Sequence, residues 1–157
     1  MRIGIGHDTH RLEPGGPLRL GGVEIPHDRH AVGHSDADVL LHAVVDALLG
    51  AAALGDIGQM FPDTDPANRD RDSAEMVRAA RDAIAAVGLR VVNIDCIVHA
   101  QRPRLLAHRQ MIRTRIADML HIEPECVGLK GKTAEGLGPV GQQEAIVAQC
   151  VCLLDER

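Results

Sequence analysis

At 157 residues the chain has the length of one domain, residues 1–157, long enough to bury a single core. A composition that is 45% hydrophobic and 25% charged excludes a disordered chain, and a formal net charge of −5 argues against a protein built to grip a nucleic-acid backbone. There is no Trp or Tyr and a single Phe, so Val, Leu, Ile and Ala must fill the core. In chain order, residues 2 to 6 alternate and lead into HDTH, which predicts a first strand with a polar tip. GGPLRLGGVEIP predicts a short hairpin. Residues 35 to 54 predict a helix that is apolar on almost every face, begun by a capping-box-like Ser35 and Asp38 and ended before Gly55. GDIGQMFPDTDP is a loop carrying the one aromatic, Phe61. Residues 72 to 87 predict an amphipathic helix stopped by Gly88, residues 90 to 100 a strand, and residues 105 to 120 a third helix. Residues 127 to 133 and 145 to 154 predict the last strands, joined by a Gly-rich connection. The expected fold is a single α/β (α+β) domain with a mixed or antiparallel four-stranded sheet and helices on one face.

Cys96, Cys126, Cys150 and Cys152 lack CxxC spacing and sit in apolar stretches, which predicts buried free thiols. The N-terminal stretch has neither a signal-peptide core nor a membrane-spanning length, so a cytoplasmic or organelle-stroma protein with no membrane partner is expected.

Asp8 and His10 stand two apart, so on a strand both side chains point to one face. His42 falls inside the most apolar helix, where its ring needs a partner. Asp38 and Asp46 lie one turn before and after it and are candidates to orient the ring. Asp, His and His would leave a fourth tetrahedral position open on zinc. Manganese or ferrous iron accepts the same donors, a helical His also fits a hydrogen-bonded core residue, and spacing alone does not pair Asp8 with His42. Fifteen Arg stand against two Lys, and both Lys fall in KGKTAE, residues 130 to 135. There Gly131 permits close approach, Thr133 offers a hydroxyl and Glu135 a hard oxygen suited to Mg²⁺. His34 and Ser35 open the buried helix, where an anion is favoured. The carboxylates of Asp56, Asp63 and Asp65 around Phe61 suit diol hydroxyls, or else a plain Asp-rich turn.

Four stretches, GHDTHRL, GHSDADVLLHAVVDALLGAAALGDIGQMFPDTDP, NIDCIVHAQRPRL and KGKTAEGLG, occur in order over nearly the whole length. In them the chain resembles the 2-C-methyl-D-erythritol 2,4-cyclodiphosphate synthase family. The resemblance implies cyclisation of 4-diphosphocytidyl-2-C-methyl-D-erythritol 2-phosphate with release of CMP, in non-mevalonate isoprenoid biosynthesis, by a phosphorus–oxygen lyase. It implies one Zn²⁺ per chain on Asp8, His10 and His42, and Mg²⁺ or Mn²⁺ at Glu135 with the substrate diphosphate. It implies transition-state stabilisation by His34 and Thr133. Substrate contacts are implied at Ser35, Asp56, Ile57, Gly58, Phe61, Asp63 and Asp65, and at Ala100, Arg104, Leu105, Leu106 and Lys132 around the cytidine. It also implies a homotrimer with active sites between subunits. Lys132 stands where some members have Thr and Arg104 where many have Lys. Pro139 to Gln143 replaces a segment that in some relatives contributes to the trimer's central cavity. A metal-dependent phosphohydrolase on the same ligands and a non-catalytic nucleotide sensor are the other readings of the same residues.

Overall fold

The alternation at the N-terminus extends into a long strand, β1 (Arg2–Pro14), in a computed structural model that describes residues 1–156. After it come β2 (Leu18–Leu20) and β3 (Val23–Ile25), which pair as the expected hairpin, and then β4 (Arg29–Val32). The helix α1 (Val39–Ala52) follows, then a short α2 (Ile57–Met60), α3 (Ser73–Ala86) and β5 (Leu89–His99). The chain closes with α4 (Arg109–Leu120), β6 (Val127–Lys132), the helical turn α5 (Gly138–Gly141) and β7 (Ala145–Glu156). The main sheet has five strands in the order β4-β1-β7-β5-β6, antiparallel except for the β5–β6 pair.

A four-stranded sheet was expected, and the fifth strand is β4. It pairs with Arg11–Pro14, the end of β1 that lies outside every element expected from the sequence. Its residues Arg29, His30 and Ala31 are only half-buried, so they carry no clear apolar alternation.

Helix α1 starts at Val39 rather than Ser35, because Asp38 is the cap: its carboxylate accepts the Leu41 N–H. The helix is buried almost all round, against β1 and β7 on one side and α3 on another. Close approach to β1 rests on two glycines. A Cβ at Gly6 would lie 1.8 Å from the Ala43 carbonyl oxygen, and one at Gly4 2.0 Å from that of Ala47. Residues 105 to 107 form a separate 3₁₀ turn before α4, so that helix is shorter than expected. The loop around Phe61 contains α2 and a second 3₁₀ turn, Pro66–Asn68.

Helices cover one face of the sheet. On the other, Ile3, Ile5 and Val151 are exposed. Cys96, Cys150 and Cys152 are buried free thiols as expected, whereas Cys126 is half-buried, in a 3₁₀ turn ahead of β6 rather than within a strand. Among the described residues no helix is long and apolar enough to cross a membrane.

Candidate metal centre and two half-sites

Even-numbered residues of β1 face α1, which carries Asp8 and His10 to the mid-helix His42. One carboxylate oxygen of Asp8 lies 2.9 Å from His10 Nε2 and 2.9 Å from His42 Nδ1, and the two ring nitrogens are 3.1 Å apart. Donors at about 2.0 Å from a tetrahedral cation would be separated by about 3.3 Å, so a triangle with edges of 2.9 to 3.1 Å needs to widen only slightly to hold a divalent metal. Proton accounting agrees. His10 Nδ1 donates to the Val32 carbonyl at 2.8 Å, so in the neutral ring Nε2 presents a lone pair to the Asp8 carboxylate. That lone pair and the carboxylate, 2.9 Å apart, repel one another unless a proton or a cation sits between them. Among the described residues these three are the one set of His, Cys, Asp or Glu donors close enough to share a metal.

Without metal, a proton takes that role. Burial lowers the His10 pKa, but the hydrogen bond and charge of Asp8 outweigh it and raise the value above the ordinary range. Burial raises Asp8, while its close contacts with the His10 and His42 rings more than reverse this and hold its carboxyl well below the usual carboxylate range.

Neither Asp38 nor Asp46 orients His42. Asp38 is fully buried and accepts from the N–H groups of Gly21 at 2.9 Å, Gly22 at 2.7 Å and Leu41 at 3.1 Å, pinning the β2–β3 hairpin to the start of α1. Asp46 accepts the Ile57 N–H at 2.8 Å and so anchors α2. Lying one helical turn away puts a side chain on the same stripe without fixing where its oxygens go. The partners of His42 Nε2 are the hydroxyls of Ser73, at 2.9 Å, and Ser35, at 3.0 Å. Ser35 was expected beside a substrate, and Ser73 was missed. It is 31 residues along the chain, and its only signal is its position after Asp72 at a helix start.

A cavity of about 280 Å³ opens beside the triangle. His10, His34, Ser35, His42, Ile57, Gly58, Phe61 and Asp63 line it, with Asn68 and Met76 as residues the sequence did not single out. The Arg71 guanidinium stacks over the Phe61 ring, 5.1 Å from its centroid. Asp56 and Asp65 do not line this cavity. Asp56 caps α2 by accepting the Gln59 N–H at 2.8 Å, and Asp65 caps the following turn through Ala67 N–H at 2.9 Å.

The remaining predicted residues gather elsewhere. Ala100, Arg104, Leu105, Leu106, Lys132 and Thr133 line a cavity of about 450 Å³ between the loop after β5 and the end of β6. Beside it the Thr133 hydroxyl donates to Glu135 Oε1 at 2.6 Å. Lys130 is ion-paired with Asp95. The two cavities share no lining residue. Lys132 is in register with His99, His99 with Val147, and Val147 with Thr9, so three strand spacings, about 14 Å, separate the end of β6 from β1. A larger cavity of about 610 Å³, near Arg81, Leu89 and His121, contains none of the predicted site residues.

The chain as a whole is similar to known proteins. Residues 1–155 match the YgbB family. A 2-C-methyl-D-erythritol 2,4-cyclodiphosphate synthase of Gemmatimonas aurantiaca is 53% identical over 146 residues, which is 93% of this chain and 88% of the relative. Among solved structures, the bifunctional IspDF of Campylobacter jejuni superposes with a TM-score of 0.95 at 36% identity, over 99% of this chain and 42% of that longer one. A 2C-methyl-D-erythritol-2,4-cyclodiphosphate synthase in a form bound to CDP matches with a TM-score of 0.91 at 40% identity, over 98% of this chain and 100% of the other. With a family match over nearly every residue, a relative sharing half its sequence and the same fold in solved members, the chain belongs to the YgbB family.

Proposed function

We propose that the chain is a phosphorus–oxygen lyase that cyclises 4-diphosphocytidyl-2-C-methyl-D-erythritol 2-phosphate to 2-C-methyl-D-erythritol 2,4-cyclodiphosphate and releases CMP. The observation that carries this reading is the Asp8, His10 and His42 triangle, set in the wall of a cavity lined by His34, Ser35, Phe61 and Asp63. The relatives' name gives the product, and the CDP-bound relative supports a cytidine diphosphate ligand. All four cysteines are free thiols, which suits the reducing cytoplasm.

In this reaction an oxygen of the substrate's 2-phosphate attacks the β-phosphorus, and the bond from that phosphorus to the CMP oxygen breaks. The nucleophile belongs to the substrate, so the protein's work is placement and charge stabilisation. Alignment of a flexible substrate contributes on the order of 7 to 11 kcal/mol in the most favourable intramolecular cases. Asp8, His10 and His42 would hold Zn²⁺, and Glu135 would hold Mg²⁺ or Mn²⁺ together with the substrate diphosphate, which would supply positive charge for phosphate oxygens. Lys132 and Thr133 offer a cation and a hydroxyl at the mouth of the second cavity, whose loop backbone and Leu105 suit the cytidine. His34 and Ser35 face the first cavity as donors to phosphate, and Phe61 and its loop screen the reacting groups from water.

Within one chain the strands that carry the two half-sites, β1 and the end of β6, are three strand spacings or about 14 Å apart. A homotrimer whose active sites lie between subunits would join the first half of one chain to the second half of its neighbour, and the apolar patch on the open sheet face supplies a surface for it.

Incubating purified protein with the substrate tests the reading directly. The expected result is CMP and the cyclic diphosphate in equal amounts by ³¹P NMR, one zinc per chain, and loss of both turnover and zinc in His42→Ala. Linear hydrolysis products would replace the cyclase with a phosphohydrolase, and full activity with full zinc in His42→Ala would remove the triangle from the chemistry.

A further inference from the structure

We propose that Ser73 and Asp36 form a positioning pair that sets the tautomer of His42, so that Nδ1 presents a bare lone pair to the divalent cation. Ser73 is the first residue of α3 and is fully buried. Asp36 holds it through both carboxylate oxygens. The Ser73 hydroxyl donates to Oδ1, and its backbone N–H donates to Oδ2 at 3.0 Å. A hydroxyl has one proton, and here the carboxylate takes it. The Ser73 oxygen facing His42 Nε2 at 2.9 Å is therefore left as an acceptor, and Nε2 must carry the ring proton. A neutral imidazole has one N–H, so Nδ1 is unprotonated, 2.9 Å from Asp8 and 3.1 Å from His10.

Ser35 makes this control necessary. Its hydroxyl also lies 3.0 Å from His42 Nε2, and it lines the open cavity. If Ser35 donated to Nε2, the ring proton would move to Nδ1 and point at Asp8, which would block the metal position. The buried Ser73–Asp36 pair opposes that arrangement. Its negative charge, acting through a polarised hydroxyl, also strengthens Nδ1 as a ligand.

Asp36 is fixed from several elements. Asp38 N–H approaches its Oδ1 at 3.3 Å, Arg19 Nε on β2 lies 3.5 Å from its Oδ2, and its own N–H donates to the Arg71 carbonyl at 3.2 Å. The pair thus ties the hairpin, the approach to α1 and the start of α3 to one ligand nitrogen. Neither residue lines the cavity, so both act through His42 rather than on substrate.

The inference rests on the cation-site reading of the triangle, and two measurements separate them. The first is ¹H–¹⁵N NMR of the histidine rings in metal-free protein, where His42 is expected as the Nε2–H tautomer. The second is zinc affinity by competition with a chromophoric chelator. Ser73→Ala and Asp36→Asn are each expected to weaken zinc about 10- to 100-fold, with thermal unfolding of the metal-free protein checked in parallel, and Ser73→Thr to restore affinity towards wild type. A wild-type His42 carrying its proton on Nδ1, or a folded Ser73→Ala protein that binds zinc as tightly as wild type, overturns the pair's role. Should the variants fail to fold, the tautomer of the wild-type ring still decides. Wild-type protein that binds no zinc would instead overturn the metal-site reading, with the tautomer result standing on its own.

Discussion

His10 links metal binding to pH. Its Nδ1 is held by the Val32 carbonyl, so the proton that titrates is on Nε2, the atom facing Asp8 and the metal position. Because the folded pKa is raised, the protonated ring stabilises the metal-free protein fully below its unfolded value of about 6.5, and that contribution is lost as pH rises through the folded value. Asp8 has the opposite sign: its depressed pKa contributes stability above about 3.9, lost as pH falls. Metal takes the place of the His10 proton. Zinc affinity, measured by chelator competition from about pH 5.5 to 8.5, is therefore expected to climb with pH and level off once His10 is neutral. The thermal midpoint of the metal-free protein is expected to lose the His10 contribution over the same interval. A flat affinity profile would show that no proton is displaced. The Asp8 and His10 pincer was legible because a strand's two-residue period places both on one face. The supports of His42 were not, since Ser73 reaches it through tertiary packing and no local pattern encodes that meeting.

Helix α1 reaches the metal position only because β1 offers it glycine. In Gly6→Ala the new methyl would sit 1.8 Å from the Ala43 carbonyl oxygen, which is backbone and cannot swing aside as a side chain would. The helix must lift, and His42 precedes the residue that is pushed. Overpacking of this kind typically costs about 1 to 3 kcal/mol, so urea unfolding is expected to show at least that loss, with weaker zinc binding alongside it. Gly50→Ala is the control within the same helix: its Cβ would meet only the Ile5 carbonyl oxygen at 4.0 Å, and Ala is expected to stabilise by roughly 0.5 to 1 kcal/mol. Equal destabilisation by both would disprove the close-packing account. The long elements were readable from their apolar periods, but two boundaries were not. Ser35 and Asp38 resemble a capping box, yet Asp38 alone caps α1 while Ser35 turns to His42. β4 shows no alternation because it lies at the sheet edge, half-buried, and only its pairing with β1 makes it a strand.

Within a single chain the two cavities that hold the proposed site residues share no lining residue. Neither the separation of the two cavities nor the patch formed by Ile3 at 74%, Ile5 at 70% and Val151 at 44% exposure could be read from one chain's residues, because strand order decides both; a site shared between chains is implied by the family resemblance alone. Ile5 and Val151 are register partners, so their side chains form a continuous apolar surface on the face without helices, as expected of an interface between copies. Complementation tests the arrangement. His42→Ala loses the metal half and keeps the Thr133 cavity, while Thr133→Ala does the reverse, and each alone is expected to be nearly inactive. If active sites form between neighbours, dissociating and reassembling an equal mixture creates sites that take an intact triangle from one chain and an intact Thr133 from the next. Random assembly puts that combination at about a quarter of the interfaces, so activity is expected to recover to roughly a quarter of wild type. Zinc should meanwhile be retained by Thr133→Ala before mixing, since all three ligands come from one chain. A mixture no more active than its two components would mean that each chain closes its own site, and the distance between β1 and the end of β6 would then have to be bridged by a rearrangement within the chain.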